Sequence, residues 1–405
     1  MAPSTAPRGR RDLHIQQVEH DGQTLTLVQD PLGILGETLC LTEFAGTLFS
    51  VLDGVRTVEE VEAIFRPVGS ASLPPGFIRA RIEEMKRCGL LEDEVYWRRK
   101  REILEEYRRA MVRPPSHADG STYPADPEGL RDWLEAILNS PEATGEWTGD
   151  APRILVAPHI DFRVNTSVYA SAYRTLRGHA YDRVILLGTG HSISEGLYCP
   201  TLKAYSSPLG ATRTDTTATR RLLDAANGIA APDDFPHRGE HALEFQLLFL
   251  QHLLGADAFE LIPILCGSMQ ELVHRVTRLG KAPWVRPFLA ALREIIEEEG
   301  KRTLVVAGVD FSHIGLRFSH EIPALEMLEE TRRHDRTLVE ALSAWDAEAF
   351  WETELRSGSH FNVCGFSTLS TILESMETPG ARCLAYDIWD DSPTGSAVTY
   401  AALVA

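Results

Sequence analysis

From residue 153 to the C-terminus, short runs of β-branched residues and leucine alternate with longer stretches whose apolar positions recur every three or four residues. The runs at 153–157, 183–187, 260–265 and 303–309 are almost wholly apolar, as strands covered on both faces are. Helical spacing intervenes at about 166–177, 214–226, 240–254, 285–299 and 322–343. Two closing strands are expected at 383–389 and 397–403. Strand and helix in alternation predict an α/β layer fold, and no internal repeat is present.

The chain before residue 118 is patterned differently. Residues 1–12 are small, polar and basic, and are expected to form a disordered tail. The stretch 23–27 alternates like a strand and leads into a turn-rich segment at 30–36. Thr42 suits the cap of a helix over 43–52 that stops at Asp53-Gly54, and Thr57 caps a second with Val58, Val61 and Ile64 on one face. A third helix is expected over 77–86, with Ile78, Ile82 and Met85 inward. Residues 13–95 therefore predict a small, mainly helical domain, close to the lower size limit for folding alone. A charged helix follows from 94 to 112, striped by Trp97, Ile103, Leu104 and Tyr107 until Arg113-Pro114-Pro115-Ser116 breaks it. Residues 96–117 thus read as a helical linker to an α/β domain at 118–405.

Composition narrows the function. The 405 residues carry a formal net charge of −18, which disfavours nucleic acid and anionic membrane surfaces as partners. Six cysteines, at 40, 88, 199, 266, 364 and 383, show no CxxC spacing and fit a reducing compartment. No 18-residue apolar run exists, and the N-terminal residues lack the apolar stretch of a secretory signal, so a cytoplasmic location is expected. A chain this long builds its core without metal staples, so a metal here would serve chemistry or binding.

Three expected strands each deliver a histidine just past their C-terminal end: His159 after Ala157-Pro158, His191 after Gly188-Thr189-Gly190, and His313 within Asp310-Phe311-Ser312-His313. In open α/β sheets that edge is where ligand crevices form. Any one loop histidine is more often a simple hydrogen-bonding residue; three in one topological position point to a shared pocket. Asp310, three residues before His313, can share an edge with it and act as its partner, or can serve only as a helix cap. Glu240, His241, Glu244 and Gln246 open a helix that is otherwise apolar, so one polar edge is expected to face a pocket. Cys364-Gly365 precedes an expected helix, a position that stabilises a thiolate as ligand or nucleophile, whereas a buried structural cysteine is the plainer alternative.

Two resemblances complete the reading. Leu41-Thr42, Leu52-Asp53-Gly54, Thr57-Val58-Glu59-Glu60 and Gly89-Leu90-Leu91 resemble PqqD-like winged-helix modules over 13–95, which implies peptide binding or a scaffold role. A longer set of motifs resembles the Memo family, in its AmmeMemoRadiSam system protein B form, over 118–405. The set runs Gly120-Ser121-Thr122-Tyr123-Pro124-Ala125-Asp126, Ala157-Pro158-His159, Gly188-Thr189-Gly190-His191, Ser207-Pro208-Leu209-Gly210, Glu240-His241, Asp310-Phe311-Ser312-His313 and Cys364-Gly365. The resemblance implies a three-layer α/β domain with a mostly parallel central sheet, like that of class III extradiol dioxygenases. It implies His159, His191 and Cys364 as ligands of a transition metal, Fe(II) foremost with copper or zinc as alternatives. It implies His313 and Asp310 as catalytic groups, with His241 and Glu240 lining the pocket. It also implies a radical SAM protein and a peptide as partners. Asp161 stands where the family has glycine, either as a fourth ligand or as the mark of an altered pocket, and Phe366 replaces the arginine of the family's CGR motif. Three functions remain open: a metal-dependent dioxygenase-like oxidoreductase, a non-catalytic peptide or metal carrier, and a cysteine hydrolase using Cys364, His313 and Asp310.

Overall fold

A computed structural model describes residues 6–20, 23–36, 38–66 and 73–405. The chain divides into two compact units, Met1–Arg109 and Ala110–Ala405.

In the first unit, strands β1 (His14–His20), β2 (Gln23–Gln29) and β3 (Leu39–Thr42) form an antiparallel sheet. Helices α1 (Glu43–Ser50), α2 (Val58–Phe65), α3 (Phe77–Arg87) and α4 (Glu94–Arg109) follow. Both expected caps form: the Thr42 side chain accepts from Ala45 N–H, and Thr57 and Glu60 make a reciprocal capping box. Val28, Leu48, Leu52, Val61, Ile78 and Ile82 lie buried together as the core. The unit is less helical than its pattern predicts, because β1 reads HIQQVEH, too polar to show a strand period, yet pairs with β2 along its full length. The expected tail also needs correction; residues 1–5 lie outside the described residues, but Gly9 and Arg10 donate backbone bonds to Leu52 and Leu90. The Arg10 guanidinium is buried against Asp30 at 2.6 Å and Asp12 at 3.0 Å. A basic run looks like a disordered tail in sequence because Asp30, which takes both terminal nitrogens of Arg10, lies 20 positions further along the chain.

The second unit opens with a two-residue strand β4 (Val112–Arg113), where the sequence predicted linker. In order come α5 (Pro127–Leu138), β5 (Ile154–Ala157), α6 (Ser167–Tyr173), β6 (Arg183–Thr189), β7 (Tyr198–Pro200), β8 (Ala204–Ser207), β9 (Gly210–Thr212), α7 (Thr216–Ala225) and α8 (His241–Leu254). Then follow β10 (Glu260–Cys266), α9 (Gln270–Val273), α10 (Arg286–Ile296), β11 (Thr303–Gly308), β12 (His313–Gly315), α11 (Ala324–Ser343), α12 (Ala347–Ser357), α13 (Phe366–Ser375), β13 (Arg382–Asp391) and β14 (Ser396–Val404).

The main sheet runs β12-β14-β5-β11-β6-β10-β7, with β13 beside β14. Its four central strands are parallel, as buried apolar runs require, while β7, β12, β13 and β14 pair antiparallel on the flanks. The sheet is therefore mixed, with a parallel centre. Successive residues of β5 point to opposite layers: Ile154 and Val156 pack with α7, α10, α12 and α13, Leu155 and Ala157 with α5, α6 and α8. Three layers result. A separate small sheet joins β4, β8 and β9. Among the described residues no helix is long and apolar enough to cross a membrane.

Candidate metal centre

β5, β11 and β6 are adjacent and parallel, so their C-terminal ends open on one edge. His159 follows β5, Asp310 follows β11 and His191 follows β6. Cys364 arrives from the chain between α12 and α13 and is stitched to the loop after β11: Cys364 N–H donates to Phe311 O at 2.9 Å, and Gly365 N–H to Asp310 O at 2.8 Å. The Cys364 sulfur then lies 3.3 Å from His159 Nε2 and 3.6 Å from His191 Nε2. One ion bonded to sulfur at ~2.3 Å and to nitrogen at ~2.0–2.1 Å holds such atoms roughly 3.5 Å apart, so the donor spacing suits a single cation. All three ligand atoms fall within 4.8 Å of one another.

Each ring is aimed by its other nitrogen. His159 Nδ1–H donates to Gly308 O at 3.0 Å, which leaves Nε2 as the donor atom facing the sulfur. His191 Nδ1–H donates to Glu240 Oε1 at 3.0 Å, and its backbone N–H to Glu240 Oε2 at 2.9 Å. Glu240 is buried at the start of α8 and also accepts from Ala242 N–H. Burial opposes its charge, but the neighbouring His191 holds it well below the usual carboxylate range. His241 shares Glu240 Oε1, at 3.2 Å from Nδ1, and stacks on His191 with ring centres 5.0 Å apart. Burial, reinforced by the His159 and His191 charges, lowers its pKa to about 3 and keeps it neutral.

The electrostatics favour a cation. Burial works against charge on both partners, yet the Asp310 and Cys364 charges raise His159 to about 9, and the two imidazoles hold the Cys364 thiol well below its ordinary value. Cys364 would offer a bound cation a ready thiolate, and the two rings would have to give up their Nε2 protons to bind it. Asp310 is buried, accepts from the His159 and Ile160 N–H groups at 3.0 and 3.2 Å, and lies 3.6 Å from His159 Nε2. A cavity of about 220 Å³ opens beside Cys364 and His191, lined among others by Thr189, Ile193, Cys266, Gln270, Asn362 and Phe366.

Several expectations are corrected by geometry. Asp310 partners His159 rather than His313, whose own Nδ1 donates to Phe311 O at 3.1 Å. Burial pushes the Asp310 carboxyl up from its ordinary value, and no hydrogen bond joins it to His313 among the described residues. This undercuts the cysteine hydrolase: Cys364 and Asp310 both address His159 Nε2, whereas a triad needs nucleophile and orienting acid on opposite nitrogens. Asp161 is no fourth ligand, because Arg163 takes both its oxygens at the half-exposed rim. Glu244 and Gln246 do not face the pocket: Glu244 pairs with buried Arg113 and accepts from Tyr123 OH at 2.5 Å, and Gln246 donates to Pro158 O at 2.9 Å. Cys364 precedes the N-cap Gly365, so imidazoles rather than helix N–H groups surround its thiol. Thr189 also lines the cavity, as does Cys266, which by sequence alone looks like a structural cysteine at the end of a strand.

Gly365 has a steric reason. A Cβ there would lie 2.7 Å from Val309 Cβ and 2.9 Å from Asp310 O, backbone and side chain of the strand end itself. Gly365→Ala should push the Cys364 arm outward, weakening metal binding and costing about 1–3 kcal/mol of stability. Thermal melts and metal titration of the variant check both effects.

Comparison with known proteins agrees with this architecture. Residues 113–404 match the family model described as Memo-like protein. The chain is 26% identical to a MEMO1 family protein of Aquifex aeolicus over 386 residues, covering 93% of this chain and 95% of the relative. That alignment is longer than Ala110–Ala405, so it extends into the first unit. A MEMO1 family protein of Thermus thermophilus is 26% identical over 351 residues, covering 86% of this chain and 99% of the relative. One from Aeropyrum pernix is 29% identical over 287 residues, covering 68% and 92%. Since the family model spans residues 113–404, most of the sequence, the chain belongs to the Memo family.

Proposed function

We propose that this protein is a metal-dependent, dioxygenase-like oxidoreductase whose ion is held by His159, His191 and Cys364. One observation carries the reading: a sulfur and two ring nitrogens from three distant parts of the chain meet at spacings that fit one cation. Soft thiolate with imidazole selects Fe(II), Cu(I) or Zn(II) over magnesium or calcium, and Fe(II) is the proposed native metal. Bound there, such an ion would supply electron exchange and activation of O₂ or substrate. The chain's own residues do the rest. Gly308 O and Glu240 aim the two rings, and the half-exposed face of His191 leaves a way in from the cavity. His313 keeps Nδ1–H on Phe311 O, which leaves Nε2 to exchange a proton with substrate. A radical SAM protein and a peptide are the proposed partners, on the strength of the family resemblance and the PqqD-like first unit.

The full-length protein, purified without oxygen and analysed for metals, should contain close to one iron or copper per chain. After Fe(II) loading it should consume O₂ with an aromatic diol or a peptide substrate. Metal without any oxygen uptake would turn the reading towards a carrier; a chain that binds no transition metal would end it.

A further inference from the structure

We propose that Arg113 is a positioning residue for the metal centre: by clamping the turn that carries Glu240, it sets the direction of the His191 ring. The consequence for metal rests on the function proposed above, but the geometric consequence does not. Arg113 lies on β4, remote in sequence from every residue of the cluster, and its side chain is fully buried. Its Nε–H donates to His237 O at 2.8 Å, and Nη2–H to Glu240 O at 2.8 Å. Nη2 also donates to Ser116 Oγ at 2.9 Å, and Nη1 pairs with the Glu244 carboxylate. One planar group thus holds both ends of the 237–240 turn and ties it to the first turn of α8.

The turn delivers the working carboxylate. Glu240 is where α8 is capped, and its two oxygens receive the backbone N–H and the ring Nδ1–H of His191. If the Glu240 backbone shifts, both contacts stretch together and the ring loses the partner that aims Nε2 at Cys364. A lysine keeps the charge opposite Glu244 but, as a single point donor, cannot satisfy two carbonyls and a carboxylate in one plane. Arg113→Lys therefore separates the clamp from the charge.

The test uses the full-length chain with Co(II) as the probe. Arg113→Lys should bind Co(II) about 10–100-fold more weakly than the unaltered protein, the range for losing an orienting partner of a ligand. Glu240→Ala should lose a similar factor, and the double variant should bind no more weakly than Glu240→Ala alone, since both changes remove one effect. Losses that multiply in the double variant would overturn the proposal. A second readout needs no metal: the His191 Nδ1–H should give a downfield, slowly exchanging proton resonance, assigned by its absence in His191→Gln. That resonance should vanish in Arg113→Lys, and its persistence unchanged would overturn the proposal. Should the unaltered protein bind no Co(II), the metal-centre reading falls while the resonance still decides the role of Arg113. If Arg113→Lys does not fold, Glu244→Gln, which loosens the same guanidinium, must weaken the resonance; an unaltered signal counts against the clamp.

Discussion

Replacing Cys364 with alanine is expected to leave the purified protein without stoichiometric metal, and His159→Ala should do the same. Removing even an orienting partner outside the ligand set typically costs about 10–100-fold in affinity, so losing a donor atom should cost more. The thiolate is the larger loss, because it supplies the negative charge that two neutral rings lack. Cys266→Ala is the matched control. Its thiol lines the same cavity, but burial pushes it up to about 12, so it stays protonated and is a poor ligand. Elemental analysis of the three variants after identical anaerobic purification decides the matter. A full complement of metal in Cys364→Ala would remove the sulfur from the site, and with it the argument from donor spacing.

Glu244→Ala should be the most destabilising single change in the second unit, by roughly 3–5 kcal/mol, because it leaves a buried guanidinium with no counter-charge. The carboxylate receives Arg113, the Ser116 and His117 N–H groups and Tyr123 OH, and the carboxylate and guanidinium are themselves fully buried. Denaturant unfolding of the variant measures the loss, and Glu244→Gln, which keeps the shape, should lose less. The pH dependence has a definite sign. Burial opposes the Glu244 charge, but Arg113 above all holds its carboxyl well below the usual range. The unfolded chain takes up that proton near pH ~4.3. The stabilisation is therefore complete above that pH and is lost as pH falls below it towards the folded value. In Glu244→Gln this part of the acid dependence should flatten; an acid profile identical to that of the unaltered protein would show that the carboxylate is not the source.

The second of these residues marks where sequence reading ended. Glu244 and Gln246 break an apolar helix at positions that look like one polar edge, and nothing in the helix tells a pocket-facing carboxylate from one that neutralises a buried arginine 131 positions away. Arg113 in turn reads as a helix-breaking linker residue, and Arg10 as part of a disordered tail, because Glu244 and Asp30 reach them only after the chain has closed on itself. Asp310 shows the same limit at finer scale. Its spacing from His313 is suggestive, yet the backbone after β11 turns the carboxylate onto the His159 N–H.

Much else was legible beforehand. The four central strands, most of the helices and the caps at Thr42 and Thr57 follow from local pattern, because burial on two faces, helical period and capping chemistry are written in neighbouring residues, whereas the three ligand candidates are singled out by the family resemblance. Parallel strands also place their C-terminal ends on one edge, so the topological position of His159 and His191 is nearly implied by the fold class. What tertiary structure alone decided is how side chains share that edge: that Glu240 rather than a nearer acid aims His191, that Arg163 draws Asp161 away, and that the Cys364 sulfur comes within 3.3 Å of a ring 205 residues distant. Those contacts depend on directions and distances between segments remote along the chain, and a linear pattern carries neither.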